Sequence, residues 1–133
     1  MTKELYLNII YSIRNFLFNI NSTYEWYFDE NAPIDKDDFI TVRESMNRIR
    51  DVVLPKWNDY ISINIYSKTQ VDTIAAEIIE GLQNMVITVL DFYGGTQNII
   101  GYLEIEHIED KFLTVLDTGH AVRNLTIYYK FYE

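Results

Sequence analysis

Between Trp57 and Leu82 the hydrophobic period of the chain changes once. Ile61, Ile63 and Ile65 alternate with Ser62 and Asn64, the two-residue period of a strand whose faces differ, which predicts a strand from Tyr60 to Tyr66. Val71, Ile74, Ala75, Ile78, Ile79 and Leu82 then recur at steps of three and four, which puts them on one face of a helix. The switch falls at Ser67-Lys68-Thr69-Gln70. Ser67 and Gln70 have capping-box spacing, so each side chain is placed to satisfy a backbone N–H at the helix start. Gly81 stands near the helix end, where glycine is tolerated or terminates it. The stretch predicts a central strand feeding a helix that packs back onto the sheet. Its residues are core and carry no chemistry.

The rest of the chain can be read by the same periods. Leu5, Ile9, Ile13, Phe16 and Ile20, joined by Ile10 and Leu17, predict a first helix over 3–20. Tyr6, Tyr11 and Phe18 widen its apolar surface beyond one stripe, so it is either deeply buried or shared with a neighbouring subunit. From Thr23 to Asp29, Tyr24, Trp26 and Phe28 alternate with Glu25, Tyr27 and Asp29, as in a strand. A loop follows, because Pro33 excludes a central strand. Phe39 to Val42 resumes a strand that is open to extension toward Arg50, and Leu54-Pro55-Lys56 turns into Trp57. Met85 to Leu90 is a short apolar strand, and Tyr93-Gly94-Gly95 a turn. Ile99 to Ile108 alternates with imperfect phase, and Gly101 is a candidate bulge. Phe112 to Leu116 reads as a separate short strand, 117–120 as a turn, and Leu125 to Tyr132 as the closing strand. The expected fold is α+β in one domain over 1–133: a mixed, mostly antiparallel sheet of about four to six strands packed by two helices.

Composition narrows the functional classes. A chain of 133 residues that is 48% hydrophobic can bury a real core. Cysteine is absent, which removes disulfides and thiolate metal sites. No apolar run reaches membrane-spanning length, and no convincing signal peptide opens the sequence, so no membrane role is expected. Twenty acidic against 11 basic residues leave a net charge of −9, which repels nucleic-acid backbones and argues against sequence-specific nucleic-acid binding. Eleven tyrosines suit protein interfaces, and nucleotide bias in the source genome accounts for them equally well.

Two charge clusters stand out. Asp29, Glu30, Asp35, Asp37 and Asp38 crowd one loop with a single Lys36. The spacing lacks the Gly and terminal Glu of a calcium loop, so a solvated acidic loop is expected in place of a metal site. Arg43, Arg48 and Arg50 are three of the five arginines. They are either the charged blunting of an exposed edge or a contact for a neighbour's acidic loop. Candidate chemistry is sparse. The two histidines, His107 and His120, have no recognised zinc spacing and are expected at the surface or in a turn. His120 and Asp117 lack a serine in a nucleophile-elbow context. Tyr93-Gly94-Gly95 is too short to cradle a phosphate, and Glu104 and Glu106 alternate as the wet side of a strand. Neither an enzyme nor a cofactor is expected.

Three stretches together resemble one family. The first is Phe28-Asp29-Glu30-Asn31-Ala32-Pro33 leading through charged residues into Phe39-Ile40-Thr41-Val42. The second is Ile61-Ser62-Ile63-Asn64-Ile65-Tyr66-Ser67-Lys68 running into a helix. The third is Asp117-Thr118-Gly119-His120 followed by Leu125-Thr126-Ile127-Tyr128-Tyr129-Lys130-Phe131. Their types and order resemble the tail terminator, or tail completion, proteins of long-tailed bacteriophages. One departure is the apolar run Met85 to Leu90, which leaves the strand count open.

The resemblance implies a structural virion protein of the tail and neck, made in the host cytoplasm. It implies a hexameric ring that caps the tail tube, ends its polymerisation and presents the tail-side surface for head–tail joining. The implied partners are the tail tube protein, the head–tail connector protein and further copies of the chain. An acidic balance suits a ring through which DNA slides without sticking. Asp29, Glu30, Asp35, Asp37 and Asp38 of one copy are candidates to face Arg43, Arg48 and Arg50 of the next, a heterologous contact. The alternative is an acidic inhibitor or immunity protein, a nucleic-acid mimic that blocks a basic enzyme surface.

Overall fold

The computed structural model describes residues 3–18, 25–27, 35–42, 56–94 and 98–133. Its elements are α1 (Lys3–Phe18), β1 (Trp26–Tyr27), β2 (Asp38–Val42), β3 (Lys56–Ser67), α2 (Val71–Leu82), β4 (Val86–Leu90), β5 (Ile99–Val115) and β6 (Ala121–Tyr132). They form one six-stranded sheet in the order β1-β2-β3-β6-β5-β4. Only β1 runs parallel to its neighbour; the other four pairings are antiparallel. The α+β architecture with two helices on a mixed sheet is the one expected.

The alternation in β3 sets the two faces. Ile61 pairs with Ile127 and Ile63 with Leu125, and all four are fully buried. Ile40, Leu103, Ile105, Ile87, Val89, Tyr129 and Phe131 extend this apolar side across the sheet. Val71, Ile74, Ala75, Ile78 and Leu82 of α2, and Tyr6, Ile9, Ile10, Ile13 and Leu17 of α1, close the same core. Each such side chain contributes about 1.5–3 kcal/mol by leaving water. The opposite face is polar and half-buried, with Ser62, Asn64, Asn124 and Thr126 at its centre. There the Asn124 amide donates to Ser62 Oγ at 2.8 Å, Asn64 Oδ1 at 2.9 Å and the Ile63 carbonyl at 3.1 Å.

The greasy first helix is deeply buried. It also buries two polar residues, Asn8 and Ser12, which tie the helix to the end of β4. Ser12 Oγ accepts the Leu90 N–H at 3.1 Å, and just beyond the strand Asn8 Oδ1 accepts the Phe92 N–H at 2.9 Å.

Several boundaries differ from expectation. The two strands expected over 99–108 and 112–116 are one strand of 17 residues. The polar run Glu109-Asp110-Lys111 does not break it, because it pairs with Thr126, Leu125 and Asn124 of β6. The imperfect phase of the alternation has its cause in a register shift between Ile105 and His107. A second irregularity lies beside Gly101, where Val89 pairs with Gly101 and Leu90 with Ile99. Gly81 is buried within α2; the left-handed residue beyond the helix is Asn84, with φ 61°. Strand continuation over 43–50 lies outside the described residues. None of the described helices is long and apolar enough to cross a membrane.

Candidate functional site

The described parts of the three stretches that carry the family resemblance, residues 35–42 in the case of the first, meet at one end of the sheet. There β2 begins, β3 ends in α2, and the β5–β6 turn closes. Asp38 Oδ1 accepts the Ser67 hydroxyl at 2.5 Å, and Asp38 Oδ2 accepts the Gln70 side-chain amide at 2.8 Å. Ser67 is fully buried, and its Oγ also accepts the Gln70 N–H at 2.9 Å and, more weakly, the Thr69 N–H at 3.3 Å. The serine half of the expected pair of bonds is therefore formed, although α2 starts later, with Gln70 at its N-cap and no side-chain cap there. The glutamine half is not, because the Gln70 side chain is drawn to Asp38. The Lys68 N–H donates to the Asp37 carbonyl at 3.1 Å, which fixes the acidic loop to the strand–helix junction.

His120 ties in the third stretch. It is fully buried, which corrects the expectation of a surface residue while keeping its place beside the turn. Its Nε2 lies 2.6 Å from the Lys36 carbonyl and its Nδ1 2.6 Å from Thr118 Oγ1. One tautomer satisfies both: Nε2–H donates to the carbonyl and Nδ1 accepts from the threonine hydroxyl. Phe39 packs edge-on against the imidazole at 5.4 Å and stacks on Tyr66 at 4.6 Å. Gly119 makes the turn possible, with φ +92°.

The charged rim of this end is wet. Lys36 Nζ lies 2.6 Å from both carboxylate oxygens of Glu25, and Tyr27 donates to the same carboxylate. The lysine bond first, and the tyrosine bond second, hold the Glu25 carboxyl below its ordinary range. Asp35 and Asp37 are exposed, and Lys68 Nζ stands 3.6 Å from Asp37. Asp38 is half-buried and committed to Ser67 and Gln70. Of the expected interface residues, Asp35, Asp37 and Asp38 are thus brought together here. Asp29, Glu30, Arg43, Arg48 and Arg50 lie outside the described residues. Among the described residues no three acidic or histidine side chains form a metal cradle.

Two further groupings escaped the sequence reading. On the polar face, His107 stacks on Tyr128 at 5.8 Å between ring centres, and Tyr60 packs tilted against Tyr128 at 5.7 Å. Tyr128 and Tyr132 donate to Glu109 and Glu104. Desolvation first, with the Glu109 charge second, raises the Tyr128 hydroxyl above its ordinary range; the bond to Glu104 does the same for Tyr132. On the helix face, Arg123 bridges Asp110 at 2.6 Å and Asp72 at 2.8 Å. These three line an open cleft of about 380 Å³ with Ala76, Ile79 and Glu80. Neither grouping has a local motif, since its members come from different strands and helices.

No protein-family description and no curated protein matches this sequence. One solved structure, whose title names no function, is similar over 100% of this chain and 97% of its own, at 11% identity and a TM-score of 0.56. That likeness is one of fold alone.

Proposed function

We propose that the chain is a phage tail-terminator-like structural protein. In this reading it assembles as a hexameric ring, caps the tail tube, ends its polymerisation and offers the tail-side surface to the head connector. One observation supports the reading: the described parts of the three family-like stretches, far apart in sequence, bond to one another through Asp38–Ser67, Asp37–Lys68 and Lys36–His120. These parts form one unit at the end of the sheet. Asp35 and Asp37 are exposed on that unit. With Asp29 and Glu30 they are the acids available to face Arg43, Arg48 and Arg50 of the next copy, whereas Asp38 serves the junction.

The test is polymerisation of the tube protein encoded in the same gene cluster, with and without this chain, followed by electron microscopy. Capped tubes of limited length, each with a ring at one end, are the expected result. Tubes of unchanged length with bare ends overturn the reading. Charge reversal at Arg48 and Arg50 is expected to break the ring, and an intact ring overturns the proposed ion pairing. The acidic inhibitor is the second reading. It is favoured by Glu104, Glu106 and Glu109 along exposed β5. Salt-sensitive capture of one basic enzyme, with no effect on tubes, would select it.

A further inference from the structure

Among the described residues the longest strand stretch left unpaired on one side lies in β5; residues 56–62 of β3 likewise have β6 on one side alone. β4 flanks β5 only from Ile99 to Glu104, and the last bond between them is the Ile105 N–H to the Met85 carbonyl at 3.0 Å. From His107 to Val115, β5 continues beside β6 with no second strand on its other side among the described residues. At the outer edge of β4 the Leu90 N–H is taken by Ser12 Oγ. The open edge is also apolar at its end, where Phe112 is 47%, Leu113 44% and Val115 61% exposed. Unpaired strand backbone with exposed large side chains is a template for another strand.

The side chains along this edge select the occupant. Ile108, Asp110 and Phe112 pair with Ile127, Leu125 and Arg123 of β6 and so lie on the helix face. Glu109 and Lys111 pair with Thr126 and Asn124 and lie on the polar face. An antiparallel copy of the same strand, centred on Asp110, sets unlike charges opposite each other twice and an isoleucine opposite a phenylalanine twice. A slip of two residues one way sets Glu109 against Glu109; a slip the other way sets Lys111 against Lys111. Each of the three registers sets one like-charged pair on the axis, but only the centred one adds two unlike pairs, so the centred register is selected. The two Asp110 carboxylates then meet at the axis, each already held by its own Arg123 at 2.6 Å.

We propose that β5 of one copy pairs antiparallel with β5 of a second copy along residues 108–112, short of the register shift between Phe112 and Thr114, Glu109 facing the partner's Lys111 and Ile108 facing the partner's Phe112. The contact is isologous and closes on itself. It therefore makes a dimer of the isolated chain and leaves a ring to be built by other surfaces. The proposal stands independently of the tube-capping reading.

Light scattering and sedimentation test it on the intact chain. The expected mass is twice 15.8 kDa. Lys111→Glu or Glu109→Lys alone places like charges opposite at both symmetric positions and is expected to weaken the dimer about tenfold. The double exchange E109K/K111E is expected to restore it. All three changes are at exposed positions, and circular dichroism checks that the fold is kept. The chain has no cysteine, so a single Asp110→Cys is expected to yield a disulfide-linked dimer on mild oxidation, while Thr114→Cys, far from the axis, is not. A monomer at all concentrations overturns the proposal. So does a dimer or ring that neither reversal weakens, or a Thr114→Cys variant that links as readily as Asp110→Cys.

Discussion

Nε2 of His120 lies 2.6 Å from the main-chain carbonyl of Lys36, a residue 84 positions earlier in the chain. Through this bond the β5–β6 turn holds the loop that leads into β2. The imidazole is fully buried and packs against Phe39, so it acts as both a polar tie and core volume.

His120→Ala removes a buried ring and leaves the Lys36 carbonyl unpaired. The expected loss is about 2–4 kcal/mol of unfolding free energy, read from the denaturant midpoint at unchanged slope. A loss below about 0.5 kcal/mol, the range of ordinary surface substitutions, would contradict the structural role.

Ser67 is a smaller side chain with more bonds. It accepts the Gln70 N–H and donates to Asp38 from a fully buried position. Ser67→Ala is expected to cost about 1–2 kcal/mol, as for loss of a side-chain bond to a turn N–H with the half-buried Asp38 carboxylate left short. Asp38→Asn keeps an acceptor for the serine and should cost less. Equal losses in the two variants would place the main contribution in the charge of Asp38.

Two glycines separate space from backbone conformation. A Cβ on Gly101 would collide with the Phe131 ring and the Tyr132 carbonyl. Gly101→Ala is therefore expected to cost about 1–3 kcal/mol by overpacking. Gly119 has open space around it but a φ of +92°. Gly119→Ala should cost about 1 kcal/mol from the left-handed backbone alone. Thermal unfolding of the two variants ranks them, and Gly119→Ala as the more damaging would refute this assignment.

The Glu25–Lys36 pair gives a pH test. The lysine bond lowers the Glu25 carboxyl from its ordinary 4.5, and the glutamate bond raises Lys36 from its ordinary 10.5. For Glu25 the stabilising contribution is present above pH 4.5 and is lost as pH falls through the lowered value. For Lys36 it is present below pH 10.5 and is lost as pH rises through the raised value. Carboxyl NMR titration should place Glu25 below its ordinary value, and Lys36→Met should move it back up. Tyr27→Phe should move it up less, because the tyrosine bond is the second cause. An unmoved titration in Lys36→Met would show that the pair does not form in solution.

Local sequence determined the parts of this protein that local periodicity encodes. The alternation of Ile61, Ile63 and Ile65 and the helical spacing from Val71 to Leu82 set β3, α2 and the face of each that is buried. The bond from the Gln70 N–H to Ser67 was legible because it reaches only three residues along the chain, whereas the N-cap itself fell on Gln70. Its bond to Asp38, 29 residues away, was not. The unbroken β5 was hidden as well, since Glu109-Asp110-Lys111 resembles a loop until β6 supplies its hydrogen bonds. Asn8 and Ser12 have no local partner for their acceptor roles; the Phe92 and Leu90 N–H groups they take come from about eighty residues further along the chain. The candidate site divides the same way. Its three stretches were legible one by one, but only tertiary structure brought Lys36, Asp38, Ser67 and His120 together. Periodicity records which side of an element faces the core. A polar side chain is committed only by the partner it meets, and that partner comes from wherever the sheet order places it.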